Sequence, residues 1–292
     1  MQAGSAGAVN SVEIRRFRSA VWRHYRRLGR HGLPWRLTRD PYRILVSEIM
    51  LQQTQVSRVL KFYPRFIGAF PDFGALARAE TRDVLRAWQG MGYNRRALAL
   101  RRLAGIVAAE HRGRLPRGRA ALEALPGVGP ATAGAVRAFA FNEREIFIET
   151  NIRRAFMRWF FRGRRRVTDA EVRRYIGRAL DPENPREWYW ALMDYGAWRG
   201  GGGGRTEGGA RGGANPNRRS AHYRKQPRFA GSARELRGKI LKILLRTGRA
   251  SVRALAKETG KSYKEIVRIA EGLAKDGFVS GTKKRTHIEL SS

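Results

Sequence analysis

Cysteine does not occur among the 292 residues. No disulfide, thiolate nucleophile or Cys-held cluster can form within such a chain. Histidine is scarce: His24, His31, His111, His222 and His287 are scattered, and none pairs at helical ligand spacing, so no metal is expected. Long apolar runs are missing as well. The most apolar stretch, Gly129 to Phe141, is interrupted by Arg137, and nothing approaches the roughly 18 residues of a membrane span. Met1 to Asn10 lacks the basic-then-apolar order of a signal peptide. Negative charge is the last shortage. Twenty-four Asp+Glu stand against 60 Lys+Arg, a formal net charge of +36.

So large an imbalance repels itself in a compact state and calls for a polyanionic partner. Nucleic acid fits best, because neutralised phosphates release counterions. The expectation is a soluble, cytoplasmic, nucleoid-associated monomer with no membrane partner. Hydrophobic residues at 42% and aromatics at 10% are enough for a sizeable core, and the length suits about two domains. Lysine is unevenly placed. Up to Arg224 only Lys61 occurs, and the other nine lie from Lys225 onward. A source favouring arginine accounts for most of this bias.

From Val12 to Trp198 amphipathic helices alternate with short Gly/Pro breaks, and no period-2 run stands out. Pro41 opens a helix in which Leu45, Ile49, Val56 and Leu60 keep helical spacing; Asp169 and Thr81 read as N-caps of later ones. Residues 1–11 read as a disordered tail, 12–198 as an all-α domain and 199–231 as a Gly-rich, then basic, linker. The linker is either a plain spacer or, in its second half, a DNA contact. From 232 to 292 three helices, capped in two cases by Ser251 and Ser262, precede a hairpin at Phe278–Ser280 and Thr286–Leu290. That order resembles a winged helix-turn-helix. Lys264 and Arg268 on its third helix, and Lys283 and Lys284 on its wing, would face a duplex; similar folds also bind proteins.

Three segments carry chemistry. Leu125 to Gly134 joins two helices through Gly127 and Gly129, a helix-hairpin-helix whose amides, with Thr132 in the new helix, can grip one phosphate backbone. Val46 to Val56 sets Glu48 in an apolar turn, with Gln52 and Gln55 on its face at i+4 and i+7. Ile49, Met50 and Leu51 would desolvate Glu48 and raise its pKa, as a general acid needs; the plainer reading is a surface glutamate beside a buried stripe. Phe147 to Arg154 places Glu149 just before a helix whose first turn holds Thr150 and Asn151. The plainer reading there is an acid favoured by the helix dipole.

Together with Leu33-Pro34-Trp35-Arg36, Pro41-Tyr42 and Gly90-Met91-Gly92-Tyr93, these segments fall in the order found in helix-hairpin-helix (HhH-GPD) DNA glycosylases. The resemblance runs from Val12 to Trp198 and is nearest to the adenine-glycosylase (MutY-type) branch. It implies a mainly α, two-lobed fold, here followed by the winged-helix candidate, and double-stranded DNA with a lesion or mismatch as partner. It implies that Glu48 protonates the departing base and that Glu149 steadies the cationic sugar. Asn151 stands beside that carboxylate, Gln53 and Tyr93 wedge into the base stack, and Gly127 and Gly129 hold phosphate. The implied reaction is removal of a mispaired or damaged base, with adenine opposite 8-oxoguanine foremost. Thymine, uracil or another modified base is the alternative, as is a non-catalytic DNA binder on the same scaffold.

The chain departs from that family in four places. The four iron–sulfur cysteines are missing, so no cluster is expected, and the Asn215–Tyr223 stretch is a candidate to replace its loop in packing. Glu149 stands where the family has aspartate. Ala131 occupies the position of the Schiff-base lysine of bifunctional relatives, and Lys61 is farther along the helix of Glu48, so imine chemistry is not expected. The C-terminal domain that recognises 8-oxoguanine in that branch is replaced by the winged-helix candidate.

Overall fold

The computed structural model describes residues 10–199, 215–221, 228–280 and 286–291. Its contacts divide the chain into two compact units, each assembled from two separate stretches. The first combines Met1–Ile44 with Gly129–Lys225, the second Leu45–Val128 with Gln226–Ser292. Among the described residues no helix is long and apolar enough to cross a membrane.

The first unit contains α1 (Ser11–Leu28), α8 (Pro130–Phe141), α9 (Thr150–Trp159), α10 (Asp169–Ala179) and α11 (Pro185–Arg199). Helix α11 touches α1, α8 and α9 and buries Trp188, Tyr189, Trp190, Leu192 and Tyr195, so it forms the centre of this unit. Phe17 of α1 is fully buried against Phe156, Phe160, Trp188 and Tyr195. Such ring contacts, mostly tilted or edge-on, suit the aromatic quadrupole. The loop after α1 is pinned by one buried carboxylate. Asp194, 3% exposed, accepts from Arg36 Nη1 at 2.7 Å and from the Arg30 amide at 2.8 Å. Burial pushes its carboxyl up, but the Arg36 bonds and charge and the Arg30 charge and amide outweigh it, leaving Asp194 below the ordinary range. Arg36, part of the Leu-Pro-Trp-Arg segment, is thus a structural residue.

The second unit contains the latter part of α2 (Pro41–Leu51), then α3 (Val56–Ala69), α4 (Phe73–Arg78), α5 (Thr81–Trp88), α6 (Arg95–Glu110) and α7 (Arg119–Glu123). It also contains α12 (Ala233–Thr247), α13 (Val252–Thr259) and α14 (Tyr263–Lys275). Three short strands accompany these last helices: β1 (Arg249–Ser251), β2 (Val279–Ser280) and β3 (His287–Leu290). They form an antiparallel sheet in the order β1-β3-β2, with Ala250 opposite Ile288 and Ser280 opposite Glu289. The expected hairpin strands pair as read. Strand β1 is additional: three residues are too few to show alternation, and the edge of β3 recruits them. Ser251 and Ser262 cap α13 and α14 through bonds from the amides of Ala254 and Glu265.

Three local expectations are corrected. The helix opened by Pro41 does not continue to Leu60. It stops at Leu51, and α3 begins at Val56, with Gln53 between them at a φ of 53°. Glu48, Gln52 and Gln55 therefore do not share one helical face, and Lys61 lies on a different helix from Glu48. The N-caps are also displaced by one residue. Thr168, not Asp169, caps α10, in a capping box with Glu171. Thr81 is buried and accepts from Arg101 Nη1 at 2.9 Å, so its hydroxyl serves tertiary packing while Glu80 holds the cap position.

Candidate active site and DNA-contact surfaces

In the second unit the end of α2 carries Glu48. The glutamate is half-buried, while its neighbours Ser47, Ile49 and Met50 are fully buried. The apolar surroundings read from the sequence are present. One turn on, Gln53 is exposed in the left-handed region; so is Tyr93, with a φ of 49°, in the loop before α6. Non-glycine residues rarely sit there without support from their surroundings.

Arg96 supplies that support, and nothing in the sequence pattern singled it out. Its Nη1 donates to the carbonyls of Ile49 at 2.9 Å and Met50 at 2.8 Å, and also to that of Gln52. Its Nη2 reaches Thr54 Oγ1 at 3.0 Å and the Gly92 carbonyl at 3.2 Å. The guanidinium carbon lies 5.2 Å from the Tyr93 ring and 5.4 Å from the Trp88 ring. One cation thus takes the orphan carbonyls at the end of α2 and ties the Gln53 turn to the Tyr93 turn. Burial lowers its pKa to about 10, so it stays charged at neutral pH. The only signal available in the sequence was an arginine three residues after Tyr93, in a chain full of arginine.

The glycine turn that follows α7 is built as expected. Gly127 has a φ of 82°, a left-handed backbone that strains any side chain, and a Cβ there would also crowd the Ala99 side chain at 3.1 Å. Its carbonyl accepts from Gln52 Nε2 at 3.1 Å, joining this turn to the end of α2. Gly129 is the N-cap of α8 with Pro130 in the first turn, and a Cβ on Gly129 would meet nothing within 4 Å. Thr132 is half-buried in the first turn of α8. Lys264 and Arg268 lie one turn apart on α14, both exposed. Lys283 and Lys284 fall outside the described residues.

In the first unit Glu149 is the N-cap of α9. Its Oε1 accepts from the amides of Asn151 and Ile152, each at 2.7 Å, and its Oε2 lies 3.4 Å from Asn151 Nδ2. The longer arm curls back onto its own helix, the dipole arrangement that the sequence also allowed. Burial raises its carboxyl above the ordinary glutamate range, against those two amides and the charges of Arg154 and Arg153. Asn151 is brought together with it as expected, and its Oδ1 accepts from Arg154 Nη1 at 3.2 Å.

Two further residues hold this helix start. A Cβ on Gly196 would lie 1.9 Å from the Asn151 carbonyl, so α11 packs on α9 only with glycine there. Asn217, in a short 3-10 helix at Pro216–Arg219, donates to the Thr150 carbonyl at 3.2 Å. The same segment sends Arg219 to the carbonyls of Phe161 at 2.8 Å and Met157 at 3.2 Å, and Ser220 bridges to Val167. Residues 215–221 therefore pack on α9. An iron–sulfur cluster does not fit this chain, which offers no thiolate. Among the described residues no group of His, Asp and Glu is placed to hold a metal either.

Residues 46–182 match the family model described as HhH-GPD superfamily base excision DNA repair protein. An adenine DNA glycosylase of Mycolicibacterium smegmatis is 35% identical over 228 residues, covering 74% of this chain and 76% of that protein. A thymine/uracil-DNA glycosylase of Pyrobaculum aerophilum is 32% identical over 190 residues, covering 63% and 83%. The solved structure of a thermostable thymine-DNA glycosylase superposes with a TM-score of 0.54 at 27% identity, covering 64% of this chain and 87% of that one. The first curated relatives matched, adenine DNA glycosylases, are spanned over only about two fifths of their length. Helical architecture, glycine hairpin and sequence similarity agree: the chain belongs to the HhH-GPD superfamily of base excision DNA repair proteins.

Proposed function

We propose that the protein is a monofunctional DNA N-glycosylase that extrudes a mispaired or damaged base from duplex DNA and hydrolyses its N-glycosidic bond. The observation that carries this reading is the end of α2, where a half-buried Glu48 in an apolar turn stands one turn before an exposed Gln53 tied through Arg96 to an exposed Tyr93. A binding scaffold has no need of an acid placed beside side chains suited to entering a base stack. A base within a duplex is out of reach until it is flipped out, and Gln53 and Tyr93 would fill the gap it leaves. Glu48 then donates its proton to the departing base, the sugar takes on positive charge, and the ionised Glu149 stabilises it until water adds. Ala131 offers no amine, which favours water over an imine.

Adenine in a mismatch is the leading substrate. Mispaired thymine or uracil is the second reading, favoured by the similarity to the Pyrobaculum aerophilum protein over most of that protein's length. Single-turnover base release from duplexes carrying A, T or U opposite each partner base separates them. Glu48→Gln and Glu149→Gln are each expected to lower the rate by roughly a thousandfold. Full activity in both variants would remove the assignment, and a borohydride-trapped adduct would replace water with a lysine.

A further inference from the structure

Within the second unit α12 packs beside α5, and Asp276, just after α14, joins the two chain stretches. Its carboxylate accepts from Arg95 Nε at 2.7 Å and pairs with Arg237. Between α3 and α5 on one side and α12 and α13 on the other lies a cavity of about 490 Å³. Among the described residues five cations line it, Arg65 from α3, Arg86 from α5, and Lys239, Lys242 and Arg246 from α12, together with the carboxylate of Glu258. The α12 residues are spaced i, i+3 and i+7, which sets them in one stripe. Arg86, Lys239 and Arg246 pair with Asp83, Glu235 and Glu258 across exposed or half-exposed contacts. For Arg65 and Lys242 no carboxylate partner exists among the described residues.

We propose that this groove holds the sugar–phosphate backbone of duplex DNA flanking the lesion, gripped jointly by the glycosylase helices and the C-terminal helices. This rests on the reading that the protein acts on DNA. The stripe on α12 extends about 10 Å at 1.5 Å per residue, too long for one phosphate. It matches roughly three phosphates of one strand at 3.4 Å each along the duplex axis. Among the described residues no aromatic lines the cavity, so they offer no platform for stacking unpaired bases, and a paired duplex is the better fit. Lys264 and Arg268 do not line it, so this surface is additional to the one on α14.

The test is the salt dependence of binding by the full chain carrying Arg65→Ala and Lys242→Ala. Two duplexes are used, one just covering the lesion and one extending well beyond it on both sides. Each lost phosphate contact lowers the log–log salt slope by about 0.9, so the longer duplex should lose roughly 1.8 and the shorter one nothing. A control carrying Arg15→Ala and Arg16→Ala, exposed on α1, removes equal charge and should leave both slopes unchanged. An unaltered slope on the longer duplex overturns the proposal, as does an equal fall in the control. Should the wild-type chain release no base from any duplex, the glycosylase reading fails while the slopes still decide the groove.

Discussion

Helix α9 starts and helix α2 stops with the same chemical need, and side chains of opposite charge meet it. The first amides of α9 have no carbonyl to bond, and Glu149 accepts from two of them. The last carbonyls of α2 have no amide, and Arg96 donates to Ile49, Met50 and Gln52. Each charged group is largely withdrawn from water by its position. The difference is reach. Glu149 bonds residues two and three positions ahead, whereas Arg96 bonds residues 44 to 47 positions away. A local cap rides with its helix; a distant one couples two turns that the chain would otherwise hold independently.

The largest expected effect would break the second half of this comparison. Arg96→Met leaves several carbonyls near the end of α2 without a donor, a loss of about 3 kcal/mol of stability in chemical denaturation. Base-release rates should fall with it, because Gln53 and Tyr93 lose their common anchor. Arg96→Lys keeps the charge but not the fork, so it should recover only part of both. A melting profile matching wild type in Arg96→Met would show that the turns hold themselves.

Gly196→Ala tests the first half from outside the helix. The added methyl has no room beside the Asn151 carbonyl, and the helix start carrying Glu149 must shift. A stability loss of about 2 kcal/mol is expected. Its effect on rate should be larger than that of an alanine placed at the open Gly129, where a Cβ meets nothing.

The smallest stability effect sharpens the contrast of sign. Burial raises the Glu149 carboxyl, so its charge disfavours the folded state. A raised acid contributes stability below its unfolded pKa of about 4.3, and that contribution is lost as pH rises through the folded value. Glu149→Gln, whose amide oxygen can still accept from Asn151 and Ile152, should therefore match wild type in acid. It should melt slightly higher than wild type near neutrality even though activity is lost. Equal melting temperatures at every pH would mean that the charge is not penalised. The same shift places the acidic limb of the wild-type rate profile above the ordinary glutamate range, measurable from single-turnover rates across pH.

Local chemistry accounts for what was legible. The glycine turn at Gly127 and Gly129, the Ser251 and Ser262 caps, the helical periodicity before Trp198 and the pairing of Asn151 with Glu149 each depend on residues within a few positions of one another. The break between Leu51 and Val56 was not legible, because Leu45, Ile49, Val56 and Leu60 keep a helical phase across it. The carbonyls left open at that break are taken by an arginine on α6. Gly196 was equally silent, since its requirement comes from a carbonyl on another helix.

The amino-acid order by itself determined the excess of positive charge, the lack of any thiolate and the run of amphipathic helices around a glycine hairpin, because composition and short-range spacing need no partner to be read. Only the tertiary structure decided that Arg96 joins the Gln53 and Tyr93 turns, that residues 215–221 pack on α9, and that Arg65 and Lys242 line one groove. Each of those depends on side chains far apart in the chain meeting in space, and periodicity along the chain carries no record of such meetings.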